Sequence, residues 1–193
     1  ALTMQGSGIA GIDTASAEIR LNDDGNYTLL IGSTDMGTGS DTILSQMACE
    51  ILETSMEKIN VISADTDVVP YDPGSYASST TYVTGMAVVK AATKLREKII
   101  EVGAKRLGID KEYAEFDGEY VHSECNKISV FDIAVDFTVG PEKEQLIGYA
   151  SHGSEVSPPP FIAGFVETEM DIETGKYKIL DYVAVVDCGT VIN

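Results

Sequence analysis

Chemistry concentrates first in Thr34-Asp35-Met36-Gly37-Thr38-Gly39-Ser40-Asp41-Thr42. This segment follows an apolar, strand-like run at 27–31 and opens an amphipathic, helix-like run at 43–52. A strand, a glycine-rich turn and a helix start form an arrangement suited to holding an anion. Glycines let the backbone turn tightly and approach a ligand closely. N–H groups left free at the helix start face that ligand, and the helix dipole favours negative charge there. Asp41, in the first turn, complements the dipole but opposes an anion beside it. The segment therefore reads as the seat of a phosphate-bearing cofactor or as a plain tight turn.

A second segment has the same construction. Residues 65–81 form a long polar stretch containing Pro70, Pro73 and Gly74, and spacing predicts a long helix over 80–107. Polar loops of this length inside a domain are usually functional or disordered. Ser78 and Ser79 are natural caps for the helix. Two loops that bring small polar residues to helix starts strengthen the anion reading beyond either alone. Nucleotide hydrolysis is disfavoured, because a P-loop needs a Lys after its second glycine and Gly37-Thr38-Gly39-Ser40 offers none. Tyr76 and Tyr82 flank the second loop and read as core or surface fillers.

The other reactive residues form no set. Asp65, Asp67 and Asp72 cluster, as do Asp23 and Asp24, but without the spacing and glycine of a calcium loop, so they read as solvated acids. His122 and His152 have no companions at metal-ligand spacing. Two histidines define no nucleophilic triad. Cys49, Cys125 and Cys188 are far apart and odd in number, which suits a reducing cytoplasm rather than disulfides or zinc. No catalytic residue and no metal ligand is assigned.

The 193 residues suffice for one large domain or two small ones, with a division at 1–108 and 109–193. The apolar fraction of 44% supplies a proper core. A net charge of −18 excludes nucleic acid and an anionic membrane surface as partners. No run approaches the roughly 20 apolar residues of a spanning helix, and no signal peptide is visible. Strands are expected at 14–21, with Ala15, Ala17, Ile19 and Leu21 on one face, and at 27–31 beyond the turn Asn22-Asp23-Asp24-Gly25-Asn26. Ile43, Leu44, Met47, Ala48, Ile51 and Leu52 share one face of the first helix. A short strand follows at 58–63. Val88, Ala92, Leu95, Ile99 and Val102 make a buried stripe on the second helix. A small hairpin at 115–121, a helix at 130–137 and a strand at 146–152 come next. After the break Ser157-Pro158-Pro159-Pro160, a hairpin pairs 161–171 with 176–187, its second strand apolar enough at 179–186 to be central in a sheet. The start at Ala1 and the end shortly past that strand suit a fragment.

Several of these stretches together carry a family resemblance. Asp35-Met36-Gly37-Thr38-Gly39-Ser40-Asp41-Thr42, backed by Gln46, Ala48 and Glu50, resembles the molybdenum-cofactor-binding subunit of the xanthine dehydrogenase and aldehyde oxidase family. Gly6-Ser7-Gly8, Ala64-Asp65-Thr66, Gly74-Ser75-Tyr76-Ala77-Ser78-Ser79-Thr80 with Gly85, and Phe165-Val166-Glu167 through Asp187-Cys188-Gly189 agree in order and spacing. The resemblance is weakest over 108–160. It implies an α+β fold, a mixed β-sheet with β-α-β units, over residues 1–193 as part of a molybdopterin-binding domain. It also implies hydroxylation of an N-heterocycle (xanthine, purine or nicotinate type) with water as oxygen source. The implied cofactor is molybdopterin with molybdenum, in its cytosine dinucleotide form. Iron–sulfur clusters and FAD are implied on partner domains or subunits, alongside the rest of the molybdenum subunit. Met36, Gly37, Thr38 and Gly39 are implied to contact the pterin and its phosphate. Ala77, Ser78, Ser79 and Thr80 are implied to lie beside the molybdenum and pterin.

Two departures from the family stand out. Thr38 replaces a Gln of many members, which is similar to the nicotinate and purine branch, where selenium on molybdenum occurs, and disfavours aldehyde oxidation. The family's catalytic glutamate follows a glycine beyond residue 193, so this chain carries part of a site and is not active alone. Two rival readings are a non-catalytic anion-binding or assembly module of the same fold, and a stand-alone nucleotide-binding enzyme.

Overall fold

The computed structural model describes residues 1–140 and 143–191; the last two residues of the chain lie outside them. After β1 (Leu2–Met4), the strands β2 (Thr14–Leu21) and β3 (Tyr27–Ile31) form the expected antiparallel hairpin, with Leu21 opposite Tyr27. Asp24 shapes its turn by accepting the Asn26 N–H at 2.9 Å. α1 (Ser40–Leu52) leads from β3 to β4 (Ile59–Ser63), which runs parallel to β3. This is the expected β-α-β unit. α1 starts at Ser40, ahead of the apolar repeat that begins at Ile43, because polar first-turn residues carry no period to read.

A π-type turn at Thr80–Thr84 runs into α2 (Gly85–Leu107). A small sheet of β5 (Glu115–Phe116), β6 (Tyr120–His122) and β7 (Lys127–Ser129) and then α3 (Val130–Val139) follow. β8 (Ile147–Gly153) returns to pair antiparallel with β2. The main sheet has the order β4-β3-β2-β8, mixed in direction, so the fold is α+β as expected. One core fills the space between this sheet and the helices. Ala15, Ala17, Ile19 and Leu21 enter it from β2, and Val88, Ala92, Leu95 and Ile99 from α2, with Val102 half-buried. Each fully buried Leu or Ile contributes about 1.5–3 kcal/mol. α2 lies close on the sheet: a Cβ on Gly148 of β8 would stand 2.1 Å from the Ala91 carbonyl oxygen.

β9 (Phe161–Met170) and β10 (Tyr177–Asp187) form the last hairpin. Here the structure corrects one expectation. Among the described residues β10 is an edge strand, not a central one: its sheet has the order β1-β9-β10, and β10 is exposed along its length. Phe165 and Val183 share one face, Val166 and Tyr182 the other, all of them exposed. Apolar composition reports what a strand is able to bury. Its place in a sheet depends on partners, and β1 takes the other side of β9.

Candidate functional site

The site is built where the loop after β3 meets the loop before α2. Gly32 permits the meeting. A Cβ there would stand 2.5 Å from the Asp72 Cβ and 2.6 Å from the Pro70 carbonyl oxygen. Ser75 then ties the loops by a reciprocal pair. Its Oγ accepts the Thr34 N–H at 3.1 Å and donates to the Thr34 carbonyl at 2.9 Å.

Asp35 organises the first loop. One carboxylate oxygen accepts the N–H groups of Gly37 at 2.9 Å and Gly39 at 3.2 Å, and the other accepts that of Asp41 at 3.3 Å. These bonds, led by that from Gly37, hold its pKa below the ordinary carboxylate value. The expectation of free N–H groups facing an external anion at this helix start therefore needs correcting. The chain's own carboxylate collects several of them. Gly39, the residue before α1, takes φ 75°, a left-handed conformation that glycine adopts without strain.

The second loop is anchored from three sides. Asp72 accepts the Gly74 N–H at 2.9 Å and the Thr84 hydroxyl at 3.0 Å. The Tyr76 hydroxyl donates to the buried Asp13 at 2.7 Å, and this bond pushes the phenol's pKa up. Ala77 and Ser78 have φ values of 51° and 55°, two successive left-handed residues without glycine. Such strain persists only where surroundings over-determine it, and it concentrates at functional sites. The surroundings are the segment before β2. Gly8 donates its N–H to the Ala77 carbonyl at 2.8 Å, and the Gln5 amide donates to Ser78 Oγ at 2.6 Å. Ser78 and Ser79 do not cap the helix with their side chains, contrary to the sequence expectation. Gln5 engages the first, and the second donates to the Tyr76 carbonyl at 2.8 Å. The N–H groups of Thr80 and Thr81, in the first turn of the helix, have no partner among the described residues.

Between the loops lies a cavity of about 440 Å³, a size ordinary for small-ligand pockets. Met36 and Thr38 line it from one side and Ala77, Ser78, Ser79 and Thr80 from the other. Gly37 and Gly39 do not line it; they shape the loop through Asp35. Gln5, Ser40, Ile43, Ser75, Tyr76 and Thr81 complete the wall. None of these side chains carries a charge at neutral pH. The lining suits a ligand recognised by many neutral hydrogen bonds. Among the described residues, no group of three His, Cys, Asp or Glu side chains is arranged to hold a metal ion. His152 lies elsewhere, its Nδ1 3.0 Å from Lys90 Nζ, and burial followed by that cation lowers its pKa.

Sequence reasoning missed Asp35, Gln5 and Asp13 as organisers of the site. Asp35 had a signal: an acid two residues before a glycine commonly accepts the N–H at that spacing. Gln5 and Asp13 had none, since their partners lie 73 and 63 residues away.

The family model described as "Molybdopterin cofactor-binding domain" matches residues 1–193. "Probable hypoxanthine oxidase XdhD" of Escherichia coli (strain K12) is 37% identical over 100% of this chain and 20% of its own length. "Xanthine dehydrogenase molybdenum-binding subunit" of Escherichia coli O157:H7 is 35% identical over 95% of this chain and 25% of its own length. The solved structure "Reconstituted CO dehydrogenase from Oligotropha carboxidovorans" superposes on all of this chain and 26% of its own, at a TM-score of 0.86 and 26% identity. The chain belongs to the molybdopterin cofactor-binding domain family. It spans about a fifth to a quarter of the length of these relatives.

Proposed function

We propose that the chain forms the cofactor-holding part of a molybdenum hydroxylase that oxidises an N-heterocycle of xanthine, purine or nicotinate type with oxygen from water. The observation that carries this reading is the single cavity onto which both glycine- and serine-rich loops converge. The residues present fit a molybdopterin. The lining is uncharged and rich in hydroxyls, and Thr80 and Thr81 offer open N–H groups at a helix start for a phosphate. Bound there, the cofactor supplies the molybdenum at which substrate oxidation is coupled to electron transfer. This chain's residues hold and orient it. Met36 and Thr38 face it from the first loop, with Gly37 and Gly39 shaping that loop. Ala77, Ser78, Ser79 and Thr80 face it from the second. The strained pair Ala77 and Ser78 is held by bonds from Gly8 and Gln5 within the chain itself, which lowers the ordering cost of binding.

The finer points belong to the same proposal. The cofactor is the cytosine dinucleotide form. Thr38, a short hydroxyl where many members carry Gln, supports the nicotinate and purine branch. The remainder of the molybdenum subunit covers the apolar faces of β9 and β10, and iron–sulfur and flavin partners take the electrons in the cytoplasm. The relatives' greater length and the exposed Phe165, Val166, Tyr182 and Val183 support this. Turnover of the full-length protein in isotope-labelled water, offered hypoxanthine, xanthine or nicotinate, tests the reading. Labelled oxygen in a hydroxylated product is expected. A molybdenum-loaded protein that hydroxylates no N-heterocycle contradicts it.

A further inference from the structure

The helix that starts at the cavity carries a hydroxyl with nothing to bond. Ser40, the first residue of α1, is 2% exposed and lines the cavity, and its Oγ has no hydrogen-bond partner among the described residues. Two nearby hydroxyls, by contrast, are engaged: Ser45 donates to the Asp41 carbonyl at 2.7 Å, and Ser63 donates to the Asp41 carboxylate at 2.9 Å. A buried hydroxyl left unbonded is destabilising, and native structures rarely keep one without a use.

The charges around it decide what it takes. Asp35 and Asp41 both stand at this helix start, and Asp35 already collects the N–H groups of Gly37, Gly39 and Asp41. The second Asp41 oxygen is itself buried without a partner. An anionic group beside Ser40 would face two carboxylates, one of which already takes the N–H groups of Gly37, Gly39 and Asp41. A neutral group that both donates and accepts is favoured, and the nitrogen-rich edge of a heteroaromatic ring is such a group. The apolar side chains of Met36 and Ile43 line the same wall and suit the flat face of a ring.

We propose that Ser40 Oγ is a cofactor-binding group that hydrogen-bonds the neutral edge of a heterocycle, and that the α1 start receives a ring and not a phosphate. The inference rests on the cofactor reading above and adds to it a residue and a polarity.

The test compares full-length wild type, Ser40→Ala and Ser45→Ala, each prepared with cofactor and from a host unable to make the pterin. Pterin retained after prolonged dilution is read as its fluorescent oxidation product. Melting temperature is read on the cofactor-free protein. Ser40→Ala is expected to lose pterin about three- to tenfold faster, the equivalent of one hydrogen bond. Without cofactor it melts at the same temperature as wild type or higher, because the unbonded hydroxyl is gone. Ser45→Ala, which breaks a bond already made, lowers the melting temperature of the cofactor-free protein. Equal retention in Ser40→Ala and wild type overturns the inference alone. A lower melting temperature for cofactor-free Ser40→Ala also overturns it, by showing a structural bond. Absence of pterin from wild type overturns the cofactor reading and this inference together.

Discussion

Replacing Gly32 with Ala is expected to push apart the two loops that form the cavity. The added Cβ would lie 2.5 Å from the Asp72 Cβ, 2.6 Å from the Pro70 carbonyl oxygen and 3.0 Å from the Asp72 amide nitrogen. Carbon atoms pack best at about 3.5–4.0 Å, so the shortfall is about 1 Å or more. Two of the three obstacles are backbone atoms, which no rotamer change relieves. Overpacking of this kind costs about 1–3 kcal/mol. In a domain of this size that lowers the melting temperature by roughly 2–4 °C per kcal/mol. The shift falls on the Ser75–Thr34 link, so the cavity loosens along with the fold. Differential scanning calorimetry and pterin retention by the full-length protein are the assays. Gly175→Ala, in the β9–β10 turn, meets nothing within 4 Å but sits at φ 72°, so as the control it should lower the melting temperature through backbone strain and leave retention unchanged. If Gly32→Ala keeps both the melting temperature and the pterin of wild type, the loops do not meet as described.

Three further outcomes are expected. Ser75→Ala removes both bonds to Thr34 and lowers stability by about 0.5–1.5 kcal/mol per bond, read as a lower denaturant midpoint with unchanged slope. Asp35 has a folded pKa below its ordinary value of 3.8, so its contribution is full above that value and is lost as pH falls through the lower folded value. Asp35→Asn should therefore flatten the acid limb of the stability profile, and an unchanged limb would show that the carboxylate does not hold the loop. In the full-length protein the outer amides of β10 should exchange slowly with deuterated solvent. Fast exchange there would mean that nothing flanks that edge.

Local structure was legible wherever a period governed it. The alternation Ala15, Ala17, Ile19, Leu21 and the stripe Val88, Ala92, Leu95, Ile99 both point into the core, because burial follows strand and helix periods directly. The turn at 22–26 was readable from its own residues. The two loops of the candidate site were legible as segments, and one cavity is lined by six of the eight residues that the resemblance implied. What escaped was long-range. Nothing near Gln5 announces a bond to Ser78, and nothing near Asp13 announces the Tyr76 hydroxyl. Neither did the charge logic of the first loop show in the pattern. A glycine-rich helix start suggests an anion site whether or not an internal acid fills it, and here Asp35 does. The edge position of β10 was likewise outside the reach of its own composition.

The most direct test of the central claim is the pterin and molybdenum content of the intact full-length protein purified from its native host. The account predicts near-stoichiometric amounts of both, with the pterin lost faster when Ser40 is replaced by Ala. An intact protein with neither pterin nor molybdenum would contradict it.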